Sequence, residues 1–547
     1  MLLPGVWAKP GGDGDWREDV MDRVHVLDCT LRDGGYCNGW EFGYGNVKKI
    51  IAGLLEAGID VVECGFLTDR VTYAPDITKF TDVSQLCGIL PEKHAGTMFV
   101  LMVNYGEYDA DKLPPCGESC IDGIRVAFHK EELVGAFALC GRIKAKGYKV
   151  FLQPMVSLNY TDAEFLSLVG YANQLAPYAF YIVDSFGVMK GKELARLFYM
   201  VEHNLAKGIC VGFHSHNNMQ LSYSNAQALV AMQADRELLI DSSVYGMGRG
   251  AGNLNTELFV DYLNGTMGTS YRLAPLLGII DEVLNRFYQE NYWGYSLPNY
   301  ISAVHNAHPN YAGFLDQRKT LTIEGMDEIF GMMEEGRKAV YDKGYIEGLY
   351  LKYMEKEQVQ EGRLAELSAR LLGGEALVIA PGRSSVTGRG EILSCAAREG
   401  MVTISVNYEY DAGVTDFIFL SNLRRYRELA AESRGKCIVT SNIPASDVYL
   451  QTKYKELLNT NEAVCDNAGM MLIKFLVKMG VKKIYIAGMD GYSPDPEGNY
   501  ARHWMNVYAQ RAVMEALNQG MSEVLCEFSR EVGIEFITGM RYVKVGE

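Results

Sequence analysis

Two short segments, far apart in the chain, carry side chains whose types and spacing suit a divalent-metal site. The segment Leu27-Asp28-Cys29-Thr30-Leu31-Arg32-Asp33-Gly34-Gly35 sets a guanidinium beside a carboxylate just past an apolar run. Downstream, Phe213-His214-Ser215-His216-Asn217-Asn218 sets two imidazoles two residues apart at the end of another such run. Residues i and i+2 of a strand project from one face, so His214 and His216 can reach one ion. Asp33 adds an oxygen ligand and Arg32 a fixed cation beside it. The set outlines a divalent-metal site for an anionic, enolate-like species. Two imidazoles and one carboxylate leave coordination positions open, as catalysis requires, and suit Mn²⁺, Mg²⁺, Zn²⁺ or Co²⁺ alike.

Other polar residues stand where they can serve that site. Glu63 can orient Arg32 as a bidentate partner, and Arg32 can stabilise charge on a carbonyl oxygen. Asp28 reads as a hydrogen-bond acceptor within the substrate-binding wall. Arg125, Gln153 and Asp184 either complete that wall or form polar layers inside the barrel. Gly246-Met247-Gly248-Arg249-Gly250-Ala251-Gly252-Asn253 is a glycine-dense loop, in which Gly250 and Asn253 are expected to meet substrate or anion. His25, His94, His203, His305, His308 and His503 show no comparable partnership; His129 faces the productive end.

These residues need a scaffold that brings them together. Short β-rich apolar runs recur at 24–29, 61–65, 98–103, 124–128, 150–154, 180–184, 209–214 and 239–245, separated by stretches of helical periodicity. Strands alternating with helices predict βαβ units and a parallel sheet, and eight of them predict a (β/α)8 TIM barrel. Asp33, Glu63, Arg125, Gln153, Asp184, His214, His216 and Asn253 all fall at or near the C-terminal ends of these runs, where such barrels carry their active sites. The barrel is expected over 22–265, a helical extension and linker over 266–373, and a Rossmann-like α/β domain over 374–547. Strands of that domain are expected at 376–380, 402–406, 417–420, 437–440 and 483–487.

Composition limits the partners. A formal charge of −16 over 547 residues argues against nucleic acid or an anionic membrane surface. No apolar stretch is long enough to span a bilayer, and residues 1–22 do not read as a secretory signal. Twelve cysteines in so long a chain form no disulfide framework. A cytoplasmic protein is expected, and a homo-oligomer.

The motif set resembles the DRE-TIM metallolyase superfamily, whose relatives include hydroxymethylglutaryl-CoA lyase. Asp28-Cys29-Thr30-Leu31-Arg32-Asp33-Gly34, Glu63 and His214-Ser215-His216 carry the signature. Arg125-Val126-Ala127, Val183-Asp184-Ser185, the 246–253 loop and Gly294-Tyr295-Ser296 resemble the 4-hydroxy-2-oxovalerate aldolase branch. The resemblance covers roughly residues 22 to 310. It implies that Asp33, His214 and His216 bind the metal (Mn²⁺ first, then Mg²⁺, Co²⁺ or Zn²⁺) and that Arg32 steadies a pyruvate-type enolate. It places Tyr295 near the active site. Where those aldolases carry a histidine three residues past the metal-binding aspartate, this chain has Tyr36, so the acid/base is open between Tyr36, His129 and a metal-bound water.

The implied activity is a metal-dependent aldolase, a carbon–carbon lyase cleaving or forming a 4-hydroxy-2-oxo acid, with a 2-oxo acid and an aldehyde as partners. The alternatives are a Claisen-type synthase condensing an acyl-CoA with a 2-oxo acid, and a non-catalytic barrel scaffold. In the C-terminal domain, Val378-Ile379-Ala380-Pro381-Gly382-Arg383-Ser384-Ser385 runs a strand into a Gly/Ser loop suited to a phosphate. With Ile484 to Gly491 it resembles the Rossmann-like domains of hydroxymethylpterin diphosphokinase and sialyltransferase-like proteins, which implies a nucleotide or nucleotide-sugar ligand.

Overall fold

The structure is a computed structural model describing residues 23–91, 96–232, 234–318, 320–355, 363–495, 498–502, 505 and 511–542. His94, His503 and the stretch 1–22 lie outside the described residues. Eight strands alternate with helices through the first half: β1 (Val24–Asp28), β2 (Val61–Leu67), β3 (Met98–Asn104), β4 (Gly123–Phe128), β5 (Lys149–Pro154), β6 (Ala179–Asp184), β7 (Cys210–Ser215) and β8 (Leu238–Ser242). They pair in parallel in the spatial order β1-β8-β7-β6-β5-β4-β3-β2, and β1 pairs with β2 to close the ring. The result is the expected TIM barrel. A two-residue strand, Lys79–Phe80, adds to the C-terminal end of β2.

The sequence explains these elements locally. Every residue of β2 is buried, including Glu63, as a parallel strand covered on both faces requires. The helix Tyr44–Ala57 buries Val47, Ile50, Ile51, Leu54 and Ala57, one stripe at three- and four-residue spacing. The helix Asp162–Leu175 opens on a capping box between Thr161 and Glu164. The last strand is shorter than the run at 239–245 suggested. It ends at Ser242, and Tyr245 turns the chain into a left-handed conformation at φ 59°.

Inside the ring, Leu27, Val61, Val100, Phe151, Ala179, Tyr181, Cys210 and Leu239 form one buried cluster. A polar layer of Glu63, Arg125, Gln153, His214 and Asp241 joins Tyr181 within the barrel, each of its members no more than 5 % exposed. Two faces of the barrel strands are thereby separated: the outer face packs on helices, the inner face builds the site.

A second parallel sheet follows: β9 (Glu375–Ile379), β10 (Val402–Val406), β11 (Phe417–Leu420), β12 (Cys437–Thr440), β13 (Leu450–Thr452), β14 (Lys483–Ala487) and β15 (Gly533–Phe536). Its order is β13-β12-β11-β10-β9-β14-β15, so the direction of winding reverses between β9 and β14. The two edge strands, β13 and β15, escaped the sequence reading. β13 has three residues, and none of the four residues of β15 is fully buried, so neither presents a sustained apolar run.

The chain divides into two compact units, one reaching Asn310 and including Lys338–Val340, the other comprising Tyr311–Arg337 and Tyr341 onward. The helical stretch 266–373 is therefore shared between the units. No helix among the described residues is long and apolar enough to cross a membrane.

Candidate metal centre at the barrel mouth

Arg32 and Asp33 sit on a single helical turn, Thr30–Asp33, directly after β1, and all four residues are buried. The carbonyl of Cys29 accepts from the amides of Arg32 (3.1 Å) and Asp33 (2.8 Å), which pins the turn to the strand end. Asp28 reinforces it. One oxygen accepts from the Thr30 amide (3.0 Å) and the other from the Thr256 hydroxyl (2.7 Å). Both oxygens are thus engaged within the protein, and Asp28 shapes the wall without reaching toward the mouth. Burial pushes its carboxyl up to about 6, against the hydrogen bonds from Thr256 and Thr30.

His214 lies on β7 and His216 follows its last residue, and their rings meet edge to face at 5.2 Å. One ligand atom each from Asp33, His214 and His216 lies within 4.8 Å of the others, and all three residues are buried. The donor set fits a divalent ion on two observations. First, His214 Nδ1 lies 2.9 Å from Asp241 Oδ2. A carboxylate only accepts, so Nδ1 carries the proton and the lone pair of Nε2 is left for a metal. Second, His216 Nδ1 and Asn253 Oδ1 are buried and without a hydrogen-bond partner among the described residues. His216 Nδ1 stands 3.8 Å from Asp33 Oδ2, which also accepts from Asn253 Nδ2 at 2.7 Å.

The charges around the triad are ordered. Burial alone would raise the Asp33 carboxyl, but Arg32, His216 and His214 outweigh it and hold Asp33 well below the usual carboxylate range. Burial pushes His216 down to about 3 despite the pull of Asp33, so its imidazole is neutral at pH 7, as a ligand must be. Arg32 is held on two sides, by Asp33 at NH1 and by Glu63 Oε2 at Nε (2.8 Å). Glu63 does not form the expected bidentate fork. Its Oε2 is shared between Arg32 and Arg125 NH1 (2.7 Å).

Arg125 and Gln153, expected in the substrate wall, lie beneath the site. Arg125 is fully buried and bridges Glu63 to Asp241, while the Gln153 carbonyl, in the amide orientation that satisfies both partners, accepts from Arg125 NH2 at 2.8 Å. A guanidinium this deep survives only with its charges paired, and here it is the pairing that carries Glu63 to Arg32 and Asp241 to His214. Asp184 likewise turns inward. Its oxygens accept from the amides of Val188 and Met189 (both 3.0 Å), closing the loop after β6, and burial pushes its carboxyl up to about 7.

The glycine-dense loop closes over the triad. A Cβ at Gly248 would stand 2.4 Å from Asn253 Nδ2 and 2.7 Å from Asp33 Oδ2, so only glycine fits. Gly250 adopts φ +69°, and the amide of the next residue, Ala251, donates to Asn218 Oδ1 (2.7 Å). Between them Arg249 reaches across the mouth: its amide lies 3.4 Å from Asp33 Oδ2, its NH2 donates to the Ser185 carbonyl (3.3 Å), and NH1 approaches His308 Nε2 (3.5 Å). The guanidinium carbon of Arg249 stands 5.3 Å from the ring of Tyr36. Tyr36 remains 42 % exposed, yet the protein crowding its phenol raises its pKa, with Arg249 opposing.

Three residues here escaped the sequence reading. Asp241 is the polar interruption of the last apolar run, at the level of Glu63 and Arg125, and alternation along that run would have found it. Arg249 lay inside a loop already singled out. His308 had no local signal, since it follows the barrel and returns to it; burial pushes its ring down to about 3. His129 accepts its role as a helix cap, its amide donating to Glu132 Oε2 (2.8 Å). Tyr295 is half-exposed and packs on Tyr300, its ring 6.3 Å away.

Residues 129–275 match the HMGL-like family model. That stretch, which runs from just after β4 past β8, is similar to the HMGL-like family. A 4-hydroxy-2-oxovalerate aldolase from Pseudoalteromonas translucida is 26 % identical over 246 residues, which span 44 % of this chain and 70 % of the aldolase. An oxaloacetate decarboxylase from Mycobacterium tuberculosis is 27 % identical over 240 residues, 43 % of this chain and 68 % of that protein. Among solved structures, the HMG-CoA lyase from Brucella melitensis aligns with TM-score 0.39 at 17 % identity, over 49 % of this chain and 98 % of the lyase chain.

In the C-terminal unit, the loop expected to receive a phosphate is already engaged. The Ser384 amide donates to Asp490 Oδ2 (2.7 Å) and its hydroxyl to Asp490 Oδ1. The chain's own carboxylate occupies the donors that an anion would need. Arg383, the basic residue of that loop, is exposed.

Proposed function

We propose that the HMGL-like barrel is a divalent-metal-dependent carbon–carbon lyase of the aldolase type, acting on a 2-oxo acid through its enolate. The observation that carries this reading is the buried Asp33–His214–His216 triad with the Arg32 guanidinium fixed beside it at the C-terminal end of a closed barrel. A divalent ion held by those three residues supplies Lewis acidity to the oxygens of the 2-oxo acid; Mn²⁺ is the ion we would load first, with Mg²⁺, Co²⁺ and Zn²⁺ as alternatives. Arg32, anchored at Nε and NH1, keeps its NH2 for the oxygen on which negative charge grows as the bond breaks. Tyr36, with its raised pKa, stays a phenol at neutral pH. It serves as a proton donor from Oη, the role suited to quenching an enolate carbon.

The bond broken is the one beta to the 2-oxo carbon. Retro-aldol cleavage of a 4-hydroxy-2-oxo acid and decarboxylation of a 2-oxo diacid both leave the same enolate, in keeping with relatives named for each reaction. Because Tyr36 replaces the aldolases' histidine, the 4-hydroxy-2-oxovalerate substrate is not transferred to this chain. Twelve free cysteines fit a reducing, cytoplasmic setting. We read the C-terminal unit as Rossmann-like, with a nucleotide or nucleotide-sugar in the cleft where the strand order reverses, between Pro381, Asn467, Gly488 and Tyr492. A homo-oligomer is the proposed assembly.

The test is exchange of the C3 hydrogens of pyruvate for deuterium, followed by NMR with and without Mn²⁺. Metal-dependent exchange in the wild type that disappears in His214→Ala supports the reading. Exchange that is absent from the Mn²⁺-loaded wild type, or that persists in the variant, removes it.

A further inference from the structure

A cleft of ≈ 310 Å³ opens beside the metal centre, against the C-terminal ends of β2 and β3. It shares walls with the Arg32 site. Tyr36, Trp40 and Phe66 line it; Phe66 lies 5.8 Å from the Arg32 guanidinium carbon, and Trp40 Nε1 donates to the Arg32 carbonyl at 2.8 Å. Its far side is polar, formed by Arg70, Lys79 and Glu107.

The charges of that far side do not cancel. Glu107 is held by Arg70 at 3.2 Å and by Asn104 Nδ2 at 3.3 Å. Lys79 is different. Its ammonium rests on the face of Trp40, Nζ 3.4 Å from the ring centroid, and makes no ion pair or hydrogen bond among the described residues. Burial lowers its pKa, with only Glu107 pulling the other way. A half-buried ammonium in a chain of net charge −16 would be expected to find a carboxylate; this one is aimed at a cavity and a π face. Main-chain pairing fixes it there, since Lys79 is in register with Phe66 on β2.

We propose that this cleft is the subsite for the aldehyde half of the substrate, and that it takes an aldehyde bearing a terminal anionic group, phosphate or carboxylate, paired with Lys79. The inference rests on the aldolase reading of the barrel. In that reading the 2-oxo acid half occupies the triad and Arg32, and the departing aldehyde needs a neighbouring space; the cleft walled by Phe66 and Tyr36 is that space. Trp40 holds the ammonium in place when no anion is bound and contributes a flat apolar wall to the carbon chain.

Two measurements test it. Condensation with pyruvate is compared for glyceraldehyde 3-phosphate, succinic semialdehyde and propionaldehyde, in wild type, Lys79→Met and Lys79→Arg. The wild type should prefer an anionic aldehyde by at least tenfold in kcat/KM; Lys79→Met should lose that preference at least tenfold, and Lys79→Arg should recover part of it. Which anionic aldehyde is preferred separates phosphate from carboxylate. In metal-free protein, glycerol 3-phosphate and succinate are titrated against tryptophan fluorescence. Saturable quenching by at least one of them, weakened at least tenfold in Lys79→Met, supports the subsite. No preference in the wild type, or a preference and quenching unchanged in Lys79→Met, overturns it. Wild-type pyruvate exchange judges the aldolase reading separately, so exchange without anionic preference would remove the subsite alone.

Discussion

The residue that does most to prepare the barrel mouth touches no substrate in the proposed reaction. Asp241 accepts from Arg125 and from His214 Nδ1 through one oxygen, and from the Tyr181 hydroxyl (3.0 Å) through the other. Burial would raise its carboxyl, but Arg125 and His214 hold it down, so it stays ionised and fixes the His214 tautomer. Asp241→Asn removes one charge from this buried set and allows the amide to donate where the imidazole must donate. We expect the affinity for Mn²⁺ to fall about 10- to 100-fold, the usual penalty for losing the group that orients a metal-bound imidazole. The loss should come with about 3–5 kcal/mol of destabilisation, because Arg125 is left underpaired in the barrel interior. Mn²⁺ titration by electron paramagnetic resonance and urea unfolding read the two effects; unchanged affinity would mean that Asp241 does not set the tautomer.

At the scale of elements, the site is an assembly of strand ends and the loops that follow them. The parts legible in the sequence are those with local pattern: the Arg32–Asp33 pair after β1, the alternating His214 and His216 at the end of β7 and just past it, and the glycines before Asn253. The illegible parts depend on closure of the ring. The sequence leaves Arg125 open between substrate wall and barrel interior because nothing local says that Glu63, two strands away, and Asp241, four strands away across the ring, converge on it. Asp184 looked available because the turn that folds the Val188 and Met189 amides onto it leaves no motif. The glycine loop lies between these cases: its flexibility was visible, its constraint was not. At Gly248 the need is space, with Asp33 Oδ2 and Asn253 Nδ2 both inside the radius of a methyl group. Gly248→Ala should therefore push the loop from Asp33 and weaken Mn²⁺ binding by at least tenfold. Far-ultraviolet circular dichroism should stay native, since the eight strands and their helices do not depend on this loop. Wild-type affinity in the variant would show that the loop can shift without disturbing the ligands.

For the whole molecule, alternation of β-rich and helical segments announced two α/β regions, because parallel strands buried on both faces leave long apolar runs at regular intervals. It did not announce the division of the helical stretch, since nothing local in helices 266–373 says which core they cover. Two compact units with separate hydrophobic cores, one around the barrel and one around β9 to β15, should unfold as distinguishable transitions. A ligand that binds only the native form of one unit stabilises that unit, by about 2.7 kcal/mol when present at 100 times its dissociation constant. Scanning calorimetry should thus show two transitions. Mn²⁺ should raise the one assigned to the barrel and leave the other in place, and Asp33→Asn should abolish that response. A nucleotide or nucleotide-sugar bound where the second sheet reverses its winding should do the opposite. A single transition that moves as a whole with Mn²⁺ would mean that the units unfold as one cooperative body, and that ligand occupancy at the barrel is felt by the C-terminal sheet.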